Sequence, residues 1–231
     1  MDGAATRTYL RKRTAIRTKP MRLALALILL TCLPAFAQDA VGRVNLGGYH
    51  SRSMCSGTLI RPDLVLTAAH CVANAEDGYA HPIKDMVFVA GWNGEGHAGA
   101  ARAASVEVHP LAFAQGRLDI AHDMALIVLQ ESLDVPGLPI GSAAPQGPFT
   151  IMGYRGSRSH RLSVDTGCVG NSLGPLLRVA CAVEQGLSGG PVVYGEGDAQ
   201  RVVAVVVGRL PGAGLAVPVD SWLRRAIAQS R

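Results

Sequence analysis

No apolar run in this 231-residue chain is long enough to cross a bilayer as a helix. The candidate, Leu23 to Leu33, has 11 residues, against the roughly 20 that a span needs. No Cys-x-x-Cys pair and no His-x-x-x-His pair occurs, so the sequence lacks the ligand spacing of a structural zinc site. His50, His81, His97, His109, His122 and His160 are scattered without ligand spacing and read as loop residues. Internal repeats and low-complexity segments are absent, which excludes solenoids and disordered arrays. Helical periodicity is missing too until the last dozen residues, which excludes a bundle.

What is present at the start reads as an export signal. Arg7, Arg11, Lys12, Arg13, Arg17, Lys19 and Arg22 form a basic region, Leu23 to Leu33 an apolar one, and Ala35-Phe36-Ala37 ends it with small residues at both positions a signal peptidase reads. Residues 1–37 are therefore expected to be a secretory leader, with Met21 an alternative start. Cys32 could carry a lipid, but Thr31 before it is larger than the small residue such processing expects. The leader carries 7 of the 22 basic residues and 1 of the 17 acidic ones, leaving 15 against 16 and a net charge near −1. The formal charge of +5 on the whole sequence belongs to the leader. No basic patch remains for nucleic acid, and no membrane insertion is expected after signal cleavage. A secreted or periplasmic protein, monomeric, is the expectation.

From Gln38 onward 194 residues remain, enough for one large domain or two small ones. Short Val-, Ile- and Leu-rich runs separated by Gly and Pro predict strands at Leu64 to Thr67, Val87 to Ala90, Met124 to Leu129 and Val202 to Val207. Val219, Trp222, Leu223, Ala226 and Ile227 share one face at helical spacing, and Asp220 can cap them, so the chain should end in one amphipathic helix. Trp92 and Trp222 read as packing residues. Cys55, Cys71, Cys168 and Cys181 make an even set, which in an exported chain favours two disulfides. Four cysteines allow three pairings, and spacing alone does not choose among them.

Three segments carry candidate chemistry. Leu64-Val65-Leu66-Thr67-Ala68-Ala69-His70-Cys71 is an apolar strand running into small residues and then a histidine, which leaves the imidazole room to face a cleft. His122-Asp123-Met124-Ala125-Leu126-Ile127-Val128-Leu129 puts a carboxylate at the mouth of an apolar strand, where it needs a partner such as an imidazole N–H. Asp119 competes for that role, but His122 and Asp123 interrupt any strand beginning there. Gln185-Gly186-Leu187-Ser188-Gly189-Gly190-Pro191 surrounds a serine with glycines, permitting a tight turn that exposes Oγ and gathers backbone N–H groups. Together they supply a nucleophile (Ser188), a base (His70), an orienting carboxylate (Asp123) and an oxyanion site at the N–H groups of Gly186 and Ser188.

These boxes, in the order His, Asp, Ser, resemble the trypsin/chymotrypsin family of serine proteases, with details closer to its bacterial, glutamyl-endopeptidase-like branch. The order separates the family from subtilisins and α/β-hydrolases. Cys55-Ser56-Gly57-Thr58-Leu59-Ile60 with Leu66-Thr67-Ala68-Ala69-His70-Cys71 is similar to the family's histidine box. Val108-His109-Pro110 and Phe149 to Tyr154 resemble structural segments of the same fold. The resemblance implies an all-β protein of two packed antiparallel barrels with a C-terminal α-helix. The expected parts are an N-terminal barrel within 38–134, a linker over 135–144, a second barrel over 145–219 and a helix over 220–231. It also implies the bridges Cys55–Cys71 and Cys168–Cys181, hydrolysis of protein or peptide substrates through His70, Asp123 and Ser188, and no metal or organic cofactor.

The chain departs from the family in two places. Trypsin is activated when a freed N-terminus pairs with the aspartate before the nucleophile, and here that residue is Leu187. Val41-Gly42-Arg43-Val44-Asn45 already resembles the first strand, so the matching N-terminal sequence is missing as well. A weakly active homologue serving as a binding or scaffold protein, and an esterase using the same triad, are the alternatives. At the base of the specificity pocket the equivalent residue is Ala182, and the strand Val203 to Gly208 lacks the histidine of glutamyl endopeptidases. The pocket is expected to involve Ala182, Glu184, Val206, Val207 and Gly208, and to take small or apolar side chains in preference to Lys, Arg or Glu.

Overall fold

The computed structural model describes Gly3 and residues 36–47, 54–74, 78–114, 116–142 and 144–230. The expected leader, with Met21 and Cys32, lies outside the described residues except for Gly3, Phe36 and Ala37. Among the described residues no helix is long and apolar enough to cross a membrane.

After a single helical turn, α1 (Phe36–Asp39), the chain enters β1 (Val41–Asn45), β2 (Met54–Arg61), β3 (Leu64–Thr67), β4 (Val87–Ala90) and β5 (Gly99–Val108). A two-residue hairpin follows, β6 (Phe113–Ala114) and β7 (Arg117–Leu118), and then β8 (Ala125–Leu129). Strands β1, β2, β3, β8, β5 and β4 close an antiparallel barrel in that order. Closure removes both sheet edges, so the Val- and Leu-rich strands leave no exposed ladder to aggregate.

The second half comprises β9 (Phe149–Arg155), β10 (Arg158–Cys168), β11 (Gly170–Leu173), β12 (Leu176–Val179), β13 (Pro191–Tyr194), β14 (Arg201–Leu210) and β15 (Ala213–Pro218). These form one seven-stranded antiparallel sheet, ordered β10-β9-β13-β14-β15-β12-β11. Unlike the first barrel, its ladder is not closed by hydrogen bonds. Its two edge strands are instead consecutive in the chain, with only Val169 between Cys168 and Gly170, so the sheet's edges meet at that corner. The Cys168–Cys181 bridge ties the same corner to the segment that leads to Ser188.

Period-two alternation assigns the apolar side chains to two cores. Ile151, Val192 and Val206 belong to the second, inside the curled sheet, with Phe149, Leu177, Val179 and Leu187. Their neighbours Met152, Val193, Val205 and Val207 face the other way and join the barrel's core. That shared core holds the halves face to face. The crossing segment is also tied down: Leu138 N–H donates to Leu59 O, and Gly141 N–H to Val202 O.

The chain ends in α2 (Ser221–Gln229), with the Asp220 side chain accepting from Leu223 N–H at 2.8 Å, the cap that the sequence predicts. The other oxygen of Asp220 reaches His109, a residue the sequence assigns to an ordinary loop but whose ring is only 4% exposed. His109 Nε2 lies 3.1 Å from Asp220 Oδ2, and Leu111 N–H donates to Nδ1 at 3.1 Å. A neutral ring protonated on Nε2 satisfies both bonds. His122 stacks on it at 4.8 Å and Trp222 meets it edge-on at 4.6 Å.

Burial holds the His109 imidazole below its ordinary 6.5, outweighing the pull of the Asp220 carboxylate, and His122 pushes it the same way as burial. The unfolded chain thus binds a proton that the native state resists. His109's contribution to stability is complete above about pH 6.5 and is lost progressively below it. Denaturant midpoints at about pH 7.5 and about pH 5 are expected to fall with acid more steeply in the wild type than in His109→Gln. Equal acid losses in the two proteins would contradict this role.

Candidate active site

Strands β3 and β8 are neighbours, with Thr67 opposite Ala125 as the last pair of their ladder. His70 follows Thr67 by three residues in a 3₁₀ turn, Ala69–Cys71, and Asp123 precedes Ala125 by two. Both therefore leave the barrel at one rim. The Cys55–Cys71 disulfide anchors the histidine turn to β2, and Ala68 and Ala69 are fully buried beneath it. His70 Nδ1 sits 2.6 Å from Asp123 Oδ2, and His70 N–H donates to Asp123 Oδ1 at 2.9 Å. The carboxylate, 0% exposed, is thus held at both oxygens by one residue. The His70 ring stays 23% exposed, with Nε2 the nitrogen left for a reaction partner.

Asp119, the competitor, is placed elsewhere. It caps the turn Ile120–His122 through Ala121 N–H at 3.0 Å and pairs with His122 Nδ1 at 2.8 Å. The His122 bond and the Ala121 N–H hold its carboxyl below the usual range.

Ser188 arrives from the second sheet, on the turn before β13, and is docked onto the barrel by backbone contacts. Ser56 N–H in β2 donates to Ser188 O at 2.8 Å. Gly189, at φ +81°, lies so close that a Cβ would stand 2.1 Å from Ser56 O and from Thr67 Oγ1, and 3.1 Å from Ala68 N. Only glycine fits this crossing, which brings Ser188 to the rim that carries His70. The Ser188 hydroxyl makes no hydrogen bond to a described residue. Such bonds commonly tighten only once substrate is bound.

The N–H groups of Gly186 and Ser188 also donate to no described residue, whereas those of Leu187, Gly189 and Gly190 are engaged. Leu187 N–H donates to Glu184 O at 3.2 Å, Gly189 N–H to Val206 O at 2.7 Å, and Gly190 N–H to Leu187 O at 2.9 Å. Gln185 O accepts from Gly156 N–H at 2.7 Å. Since a peptide's N–H and C=O point oppositely, this fixes Gly186 N–H away from Gly156. Leu187, which cannot form the ion pair of trypsin, is fully buried in the second core. Hydrophobic burial holds the loop where a charge pair does so in trypsin.

A cleft of about 260 Å³ opens beside Ser188, lined by Val183, Glu184, Gln185, Gly208 and Arg209. Of the five expected pocket residues, Glu184 and Gly208 line it. Ala182 is exposed outside this lining, and Val206 and Val207 turn their side chains into the two cores. Val206 instead meets the nucleophile loop through its backbone, accepting from Gly189 and donating to Gly190 O. The bulge between Val206 and Gly208 in the β14–β15 pairing shifts the strand's facing at this point. Arg209 was not singled out by the sequence, where it is one arginine among many.

Cys55, His70 and Cys71 gather three ligand-type atoms within 4.8 Å. Both sulfurs are bonded to each other, so no thiolate is offered to a metal.

Residues 55–205 match the family model of the trypsin-like peptidase domain. The chain belongs to this family. A trypsin-like protease of Streptomyces glaucescens is 32% identical over 144 residues, 57% of this chain and 51% of the relative's length, so the chain spans about half of that protein. Among solved structures, a Glu endopeptidase superposes with a TM-score of 0.70 at 21% identity, covering 85% of this chain and 91% of its own. The thermostable serine protease AL20 from an extremophilic microorganism gives 0.69 at 19% identity, covering 84% and 99%. At these identities the structural matches establish the trypsin-like fold alone. With the two disulfides and the single terminal helix, they agree with the architecture implied by the sequence.

Proposed function

We propose that the chain is an exported serine endopeptidase, acting as a monomer on protein or peptide substrates through an acyl-enzyme on Ser188. The observation that carries this is the buried Asp123–His70 pair, set at the rim where the second sheet delivers Ser188 beside two unengaged N–H donors. His70 Nε2 takes the Ser188 proton as Oγ attacks the peptide carbonyl. The oxyanion that forms is stabilised by the N–H groups of Gly186 and Ser188. His70 then gives its proton to the departing amine, leaving an ester on Ser188. Water, deprotonated by the same nitrogen, releases the acid and restores the serine. Asp123 holds the ring with its proton on Nδ1 and stabilises the imidazolium. No metal or organic cofactor enters these steps.

The cleft favours small or apolar residues over Lys and Arg at the cleaved position. Its one carboxylate, Glu184, accepts from Ser157 Oγ at 2.6 Å and faces Arg155 at 3.8 Å, while Arg155 also pairs with Asp165. Arg209 adds a positive charge to the same lining. A substrate cation would lose water and meet no free anion. Leu187 was the feature that favoured a binding-only homologue, and its burial in the second core removes that support.

Digestion of a mixed peptide library, with and without a fluorophosphonate, tests both parts. Cleavage blocked by the reagent, after small or apolar residues, is expected. No cleavage by folded protein would sink the peptidase, dominant Lys or Arg would reassign the pocket to Glu184, and dominant Asp or Glu would reassign it to Arg209.

A further inference from the structure

We infer that Ser56 is a positioning residue for the oxyanion site, a neutral latch whose hydroxyl fixes the orientation of the loop at Gly186. The inference rests on the proposed peptidase reading, because it concerns the hole in which that reaction's oxyanion would sit.

Ser56 lies in β2, fully buried, next to the cysteine that anchors the His70 turn. Its hydroxyl donates to Gly186 O at 2.8 Å and accepts from Tyr154 N–H at 2.8 Å. Its backbone N–H donates to Ser188 O, and its carbonyl accepts from Thr67 Oγ1 at 2.8 Å. One residue of the first barrel thereby grips the nucleophile loop at Gly186 and at Ser188, and joins both to the end of β9.

The grip controls the direction of an N–H. Gly186 has φ +94°, and a Cβ there would stand 2.5 Å from Tyr154 O and 3.0 Å from Gly156 N, so its backbone lies directly on residues 154–156. The peptide before it is fixed by Gly156 N–H on Gln185 O, and the peptide after it by Ser56 Oγ on Gly186 O. With both carbonyls held, the turn at Gly186 is fixed on either side, and its N–H stays turned away from Gly156 and without a partner among the described residues. Without the hydroxyl, Gly186 O and Tyr154 N–H lose a partner in a place that solvent does not reach. The loop then gains by turning to find others.

An alanine at this position keeps the backbone bonds of Ser56 and removes only the latch. A hydroxyl also carries no charge, so the hole it supports does not depend on a processed N-terminal amine. Leu187 is compatible with that arrangement, because it is fully buried in the second apolar core and brings no charge to the loop.

The test compares wild type and Ser56→Ala, both with the two disulfides formed, using a chromogenic acyl ester whose acyl-enzyme can be trapped at low pH. Two quantities are read per titrated active site: kcat, and the infrared stretch of the acyl carbonyl. Loss of a positioned oxyanion donor costs about 10²- to 10³-fold, and an indirect latch is expected to cost about ten- to hundred-fold in kcat with little change in KM. The acyl band should move to higher wavenumber, as a less polarised carbonyl does. A variant that merely loses stability has fewer titratable sites but an unchanged band and unchanged kcat per site, and that result would overturn the latch. If Ser56→Ala does not fold, Ser56→Gly carries the same readouts. A wild type that forms no acyl-enzyme would overturn the peptidase reading itself, an outcome distinct from a wild type and variant that acylate alike.

Discussion

Ser188→Ala is expected to lower kcat for peptide hydrolysis by on the order of 10⁶-fold, the loss seen when a triad nucleophile is removed from an enzyme whose residues act as a unit. The substitution removes the atom that forms the acyl bond in the proposed mechanism. Everything around it stays in place. Gly186 and Ser188 keep their backbone N–H groups, the Asp123–His70 pair keeps its bonds, and the loop keeps its contacts to Ser56, Val206 and Gly190. Since the Ser188 hydroxyl bonds to no described residue, its loss orphans no partner there. The thermal midpoint should stay within a degree or two, and substrate peptides should still bind. Turnover, midpoint and peptide affinity measured on one preparation separate the chemical loss from misfolding. Turnover within about tenfold of wild type would exclude Ser188 as the nucleophile.

Asp123→Asn is expected to cost about 10⁴-fold in kcat near neutral pH, the figure known for this exchange in the well-studied triad. The two bonds of Asp123 show why. Oδ1 accepts from His70 N–H at 2.9 Å, and Oδ2 meets His70 Nδ1 at 2.6 Å. An asparagine that keeps its oxygen on the backbone N–H must turn its NH₂ toward Nδ1. The ring then accepts at Nδ1 and carries its proton on Nε2, the nitrogen that has to receive the Ser188 proton. The fold should survive, because the amide has the shape of the carboxylate and both of its groups find partners. Asp123→Ala would instead leave a cavity and an unsatisfied His70 N–H at a site that is 0% exposed. Steady-state kinetics of the asparagine variant decide the matter: a loss below about tenfold would show that Asp123 does not orient the base, and Asp119 would then be the carboxylate to test.

Much of this was legible in the chain. The runs expected as strands at Leu64, Val87, Met124 and Val202 fall in β3, β4, β8 and β14, with Met124 one residue ahead of β8, and Asp220 caps the terminal helix. These succeed because alternation, apolar runs and cap chemistry are local signals. The three boxes were legible for a similar reason, since each is a short run whose residue types have few other uses. Sequence reasoning failed where a role is assigned from a distance. His109 has no partner within its own segment, and its buried bond to Asp220 spans 111 positions. Ser56 reads as one hydroxyl residue in a strand, and its role depends on Gly186, 130 positions away. Val206 and Val207 were expected in the pocket, but a bulge that no residue type announces sets the facing of β14.

Sequence by itself determined that the chain is mostly β with a capped terminal helix, and which serine, histidine and aspartate to consider, because alternation, capping and glycine-flanked turns act over a few residues. The tertiary structure decided which carboxylate lies against His70, which side chains line the cleft beside Ser188, how the second sheet's edges meet, and what holds Gly186 in the absence of an ion pair. Those are properties of contacts between segments far apart in sequence. Such contacts are fixed only when two cores form against each other, and no local pattern encodes the pairing.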